Sequence, residues 1–226
     1  MFRRDLKYEK NFWGKKFIPI KNKSLQRRQK FIQAWIERFW NIPKNARILE
    51  IGGAGKPLIN FFQGGEKYVL DPLIDFYEKK FPEFYTDSDL CKLKTEAENM
   101  HFKNNTFDLI IMLNVLDHTE SPQKVIKECY RVLKKEGVII LSVDTFNLFW
   151  KIFRRFLPFF GFKHYRLHPQ VLRIRDVKQI LQKNDFRILN LFITEKIKTN
   201  PLFSLKEKLK FYLEYNLYCT YVLAKK

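Results

Sequence analysis

Cysteine is scarce in this chain. Cys91, Cys129 and Cys219 are the only three among 226 residues. They are widely spaced and odd in number, which excludes a disulfide framework and a cysteine metal motif. They read as buried free thiols in a reducing compartment. Long apolar runs are missing too. No stretch of eighteen apolar residues occurs, so no membrane-spanning helix is expected. The N-terminus is basic (Arg3, Arg4, Lys7), but no apolar segment follows, so it does not read as a secretory signal. No internal repeat or low-complexity tract is present. There is no Gly-x-Ser-x-Gly turn, no short-range Cys–His pair and no His/Cys/Asp cluster. Those absences argue against covalent catalysis and against a metal site.

What is present is length for one large α/β domain and a strongly uneven charge. The net charge is +19. Residues 1–47 carry 14 Lys/Arg against 3 Asp/Glu, residues 48–143 carry 12 against 15, and residues 144–226 carry 17 against 6. A near-neutral centre thus lies between two basic flanks. Such flanks suit an acidic substrate, a nucleic acid or an anionic lipid surface. A lysine-rich composition with no partner is the plain alternative.

The periodicities alternate between strand and helix. Residues 1–23 are basic and aromatic with no clear period. Ser24 can cap a helix to about Trp40, in which Phe31, Ala34, Trp35 and Phe39 recur at helical spacing. Residues 47–51 read as a strand, 57–63 as a helix ended by Gly64 and Gly65, 67–71 as a strand and 73–80 as a short helix. A weak third strand is expected at 84–86. Phe107–Leu113 is almost unbroken in apolar character, as a strand buried on both faces should be. Ser121 should cap a helix to Leu133, with Pro122 in its first turn. Val138–Val143 is a second buried strand. Residues 146–160 mix aromatic residues with Arg154 and Arg155. They read as a packed helix, with a substrate lid or a lipid-surface contact as alternatives. A helix over 177–183, strands at 186–194 and 215–224 and an amphipathic stretch at 201–214 complete the chain. This order predicts an α/β fold, doubly wound around a mostly parallel sheet.

The densest information lies in Arg47-Ile-Leu-Glu-Ile-Gly-Gly-Ala-Gly-Lys-Pro57. An apolar run ends in an acid and then in glycines, which allow a tight turn and close approach to a ligand. Tyr68-Val-Leu-Asp71 follows as a second run ending in an acid, placed to accept from ribose hydroxyls. The ordered set LEIGGAG (49–55), YVLDP (68–72), EAENMHF (96–102), NNTFDLIIMLNVLDH (104–118) and VIKECYRVLKKEGVIILSV (125–143) resembles the class I, S-adenosylmethionine-dependent methyltransferases. The resemblance is strongest to their small-molecule subgroup. It covers roughly residues 46–144.

The resemblance implies a Rossmann-like methyltransferase sheet with an antiparallel final strand. It implies a basic helical cap at 1–45 and one methyltransferase domain at 46–226, with insertions at 145–170 and 196–214 near the substrate side. It implies S-adenosyl-L-methionine as cofactor. Glu50 and Gly52 would flank its methionine part, with Gly53 and Gly55 also binding the cofactor, Asp71 its ribose, and Glu96 and Ala97 its adenine. Asn114, Val115 and Leu116 would lie near its sulfonium. The turn departs from the family's Gly-x-Gly-x-Gly, with Ala54 at the middle glycine and Lys56 at the last. The spacing of residues 52–57 also breaks the Gly-x-Gly-x-x-Gly of a dinucleotide site.

Catalytic candidates are His118, at the end of the fourth motif, and His164 and His168 in Lys163-His-Tyr-Arg-Leu-His168, where Tyr165 and Arg166 could shape a pocket. An imidazole can take a proton from a hydroxyl or amine near neutral pH, and a structural histidine is the competing reading. The expected reaction is methyl transfer to a small or medium-sized acceptor, with oxygen preferred over nitrogen. The basic flanks favour an anionic acceptor, acidic or glycan- or lipid-linked. Two other readings stand beside it: a methyltransferase of RNA or other nucleic acid, and a non-catalytic binding protein with this fold. The expected location is the cytoplasm, with peripheral membrane contact as an alternative.

Overall fold

The computed structural model describes residues 6–16, 22–53, 55, 57–62, 65–86, 89–146, 169–195 and 218–226. Seven strands make one sheet: β1 (Arg47–Ile51), β2 (Glu66–Leu70), β3 (Leu90–Leu93), β4 (Phe107–Leu113), β5 (Leu133–Thr145), β6 (Arg187–Glu195) and β7 (Tyr218–Lys225). The described helices are α1 (Leu6–Lys16), α2 (Asn22–Glu37), α3 (Ile74–Lys80), α4 (Pro122–Val132) and α5 (Ile174–Lys183). Among the described residues, no helix is long and apolar enough to cross a membrane.

The strand order is β3-β2-β1-β4-β5-β7-β6. β1 to β5 pair in parallel, and β7 runs antiparallel to both β5 and β6. The direction of winding reverses between β1 and β4, and ligands of open α/β sheets bind outside the strand ends at such a point. Strand alternation sorts the core into two layers. Ile110, Met112, Ile139 and Leu141 face one cluster that includes residues of α4 and α5. Leu109, Ile111, Val138 and Ile140 face the other, with residues of α2 and α3. Both faces are covered, so β4 needs no polar side and has none in Leu109–Met112.

Several expectations shift. Residues 82–84 form a single 3₁₀ turn, and the third strand lies later, at Leu90–Leu93. The helix expected at 57–63 is a 3₁₀ turn over Leu58–Phe61. β5 starts five residues early, at Leu133, and Glu136 absorbs the register change at φ 67°. Ser121 does not cap α4 through its side chain. The Glu98 carboxylate does so instead, accepting from the Glu120 and Ser121 N–H groups at 2.8 and 3.3 Å. Cys129 and Cys219 are buried, but Cys91 is exposed. The expected helix beyond Phe146, the stretch 201–214, and Tyr165 and Arg166 lie outside the described residues.

α1 has no clear apolar period of its own, although it falls within the helical cap expected at 1–45. It rests on α3: Lys80 Nζ donates to the carbonyls of Trp13 and Gly14, and Lys10 Nζ sits 5.4 Å from the centre of the Phe76 ring. α1 also carries Glu9, which is buried and reaches His118 in the loop after β4.

Candidate active site

The site starts where β1 ends. Gly52 N–H donates to the Leu70 carbonyl at 2.8 Å, which ties the turn after β1 to the end of β2. Gly52 has φ 73°, a conformation side chains disfavour. A Cβ there would overlap Val115 Cγ2 of the loop after β4. The sequence needs glycine here for both backbone and space. Gly53 has a different neighbour: a Cβ would run into the Glu50 carboxylate. Gly55 is half-buried in the same turn.

Glu50 is folded inward. Its Oε2 accepts from Ile59 N–H at 2.8 Å, so the acid closes the start of the 3₁₀ turn that replaces the expected helix. Burial pushes its pKa up to about 7, against the opposing pull of the Ile59 and Leu58 amides and of the Arg28 charge. Asp71 follows β2 and is buried. Its N–H donates to Leu93 O at 3.0 Å, and its Oδ1 accepts from Leu73 N–H at 2.7 Å. The strand end, the turn and the start of α3 thus fix its carboxylate.

Tyr85 had no sequence signal. Its hydroxyl is buried with no hydrogen-bond partner among the described residues. Burial raises its pKa first, and the charges of Asp71 and Glu50 add to that. A neutral phenol donor therefore stands near two acids, and a buried hydroxyl left unanswered is costly unless a ligand or water completes it.

The adenine-side candidates lie after β3. Ala97 is buried and Glu96 exposed. Arg131 on α4 clamps this loop by donating to the carbonyls of Met100 and Phe102 at 2.7 and 2.6 Å. Glu128 accepts from Met100 N–H at 2.9 Å. The loop is held on α4 by charge-assisted bonds, which are stronger than neutral ones.

Asn114 ends β4 at φ 56°. Its amide oxygen accepts from Ser142 Oγ at 2.9 Å, so this side chain is engaged with β5. The positive φ turns the chain sharply into Val115 and a 3₁₀ turn, Leu116–His118. Leu116 is buried beneath it. Thr119 Oγ1 donates to Leu116 O at 2.8 Å and locks the turn. His118 ends the turn with its side chain 12% exposed, and its Nδ1 lies 3.7 Å from Glu9 Oε1 of α1. The structure brings Glu50, Gly52, Asp71, Val115 and His118 to one end of the sheet. His164 and His168 lie outside the described residues.

Residues 24–191 match the family model of a methyltransferase domain. The chain is 30% identical over 117 residues to a tRNA U34 carboxymethyltransferase of Helicobacter pylori, covering 46% of this chain and 44% of that one. The chain therefore matches less than half the length of that curated relative. In structure it resembles a Bacillus halodurans protein provisionally assigned as a methyltransferase, with TM-score 0.65 and 17% identity over 89% of this chain and 98% of that one. It also resembles a geranyl diphosphate C-methyltransferase of Streptomyces coelicolor, solved with S-adenosyl-L-homocysteine, with TM-score 0.66 and 11% identity over 88% and 79% of the two chains. The seven-stranded sheet, the glycine turn at its switch point and the match over most of its length place this chain in the class I S-adenosylmethionine-dependent methyltransferase family.

Proposed function

We propose that the enzyme methylates a small or medium-sized anionic acceptor, at oxygen in preference to nitrogen, with His118 as the acceptor's base. The residues present suit the cofactor. Asp71 supplies acceptors for ribose hydroxyls, and the Tyr85 hydroxyl is an unanswered buried donor near it. Carboxylates also favour a cofactor that carries positive charge. When bound, S-adenosylmethionine would supply a methyl group carried on a positive sulfur, and the acceptor's proton would have to pass to a group of the protein. Gly52 and Gly53 let the backbone come close, and Asp71 and Glu96 orient the sugar and the base. Holding both partners in line removes much of the entropic barrier. His118 takes the proton.

The observation that carries this reading is the meeting of α1 with the loop after β4. That meeting sets the imidazole beside Glu9 of a helix whose exposed residues include Lys7, Lys10 and Lys15. A lysine-rich surface near the approach to a base suits an acceptor with negative charge. The test is mass spectrometry of the small molecules that co-purify with the full chain, followed by a methyl-transfer screen of matched acidic and neutral hydroxyl compounds. Turnover confined to neutral acceptors would overturn the anionic assignment.

A second reading is modification of RNA, favoured by the partial identity to a tRNA-modifying enzyme and by the basic flanks. It expects affinity for tRNA that falls steeply with salt.

A further inference from the structure

The contact between α1 and the turn after β4 joins residues 109 positions apart in the chain, and the mechanism so far uses only one of them. Glu9 is among the few buried charged residues described. An acid on a lysine-rich surface helix has no reason to be buried unless something inside answers it. His118 Nδ1, at 3.7 Å, is an answering group, with the Glu9 side chain 4% exposed and the imidazole 12%.

We propose that Glu9 is a positioning residue for His118. The carboxylate holds the proton on Nδ1 and turns Nε2 toward the acceptor. An imidazole has two nitrogens, and which one carries the proton is decided by what the other ring atom meets. A carboxylate against Nδ1 favours the Nδ1–H form, in which Nε2 has the lone pair. Nε2 then takes the acceptor's proton as the acceptor bonds to the methyl carbon, and the imidazolium so formed is stabilised by the negative charge beside it. The proton leaves to solvent when product departs. The arrangement makes the base complete only when α1 is docked. Lys80, donating to the Trp13 and Gly14 carbonyls, anchors the C-terminal end of the same helix on α3.

This inference rests on the reading of His118 as the base, and the test separates the two. The full chain, saturated with S-adenosylhomocysteine, is labelled with ¹⁵N in its histidines. The His118 ring signals are assigned by their loss in His118→Gln. At pH 7.5 the wild type is expected in the Nδ1–H form. Glu9→Leu is expected to move it toward the Nε2–H form that free imidazole side chains prefer, and Glu9→Gln to move it part of the way, because the negative charge is lost while the amide dipole remains. With an acceptor from the screen, Glu9→Leu should lower kcat tenfold or more with KM little changed, and Glu9→Gln should recover part of the loss. An identical tautomer in wild type and Glu9→Leu overturns the proposal. So does a wild-type ring protonated on both nitrogens at that pH, since it could accept nothing. If Glu9→Leu does not fold, Glu9→Gln decides: the Nδ1 resonance shifts when the facing charge is removed, or stays unmoved and the pairing is wrong. Unchanged turnover in His118→Gln would defeat the base assignment alone, leaving the tautomer result to stand by itself.

Discussion

The proposed cofactor side and the proposed acceptor side of this site are built by opposite means. On the cofactor side, backbone geometry and fixed acids come from strand ends that are neighbours in the sheet: Gly52 after β1, bonded to Leu70 at the end of β2, with Asp71 next. On the acceptor side, one histidine turn after β4 meets a helix from the far end of the chain. The first kind of site forms whenever the sheet forms. The second exists only when a separate element has docked. Damage to the first should therefore appear as lost cofactor affinity, and damage to the second as lost turnover with the cofactor still bound.

The largest effect expected is from Gly52→Val. At φ 73°, with Val115 where the new side chain must go, both backbone and space resist. Titration calorimetry should find S-adenosylmethionine affinity reduced at least about a hundredfold, because strain of a few kcal/mol falls at the cofactor's approach. Near-normal affinity would show that the turn is not the cradle. Next is His118→Gln, which should lower turnover roughly 100-fold or more, the usual contribution of a general base. Its cofactor affinity should stay within a factor of two or so by the same titration. A parallel loss of affinity would erase the contrast between the two sides.

Glu50 gives a third test without any ligand. Its folded pKa of about 7 stands above the ordinary 4.5. The native state therefore keeps a proton that the unfolded chain releases, and stability is lost as pH rises from about 4.5 through about 7. The expected loss is ~3 kcal/mol in order of magnitude. Urea unfolding of wild type and Glu50→Gln at pH 5 and 8.5 should show the decline in wild type alone. Equal slopes would mean the acid is not buried as described. The smallest effect is from Asp71→Ala. It should weaken cofactor binding about tenfold or more, since a charge-assisted bond is worth roughly 1.5–3 kcal/mol, and leave kcat at saturating cofactor little changed. Unaltered affinity would remove Asp71 from the ribose.

The contrast also explains what could be read from sequence. β1, β2, β4 and α4 were legible because each carries its burial in a local period: Leu109 to Met112 are all buried, and a continuous apolar run says so. The strand-end acids Glu50 and Asp71 were legible for the same reason. β3 was misplaced because the aromatic run at 84–86 mimics a strand, whereas Leu90–Leu93 is short, at the sheet edge and half exposed. At 57–63 the expected helix is a 3₁₀ turn whose first amides meet the Glu50 carboxylate, a contact no local pattern encodes. The exact place of α1, and the roles of Glu9 and Tyr85, left no trace. Glu9 meets a residue 109 positions away, and the Tyr85 hydroxyl stands near acids at the ends of two strands.

β7 sits between β5 and β6, which precede it in the chain, and pairs with both along its length. The Lys226 ammonium then bonds to the Leu133 carbonyl and Asn105 at 2.7 and 2.8 Å. Assembly of this sheet is thus a matter of leaving a slot and filling it afterward. A polypeptide lacking residues 218–226 would present two ribbons with bare amides and carbonyls facing each other, and such edges recruit other chains. Shortening this segment is expected to yield aggregates rather than a slightly weaker enzyme.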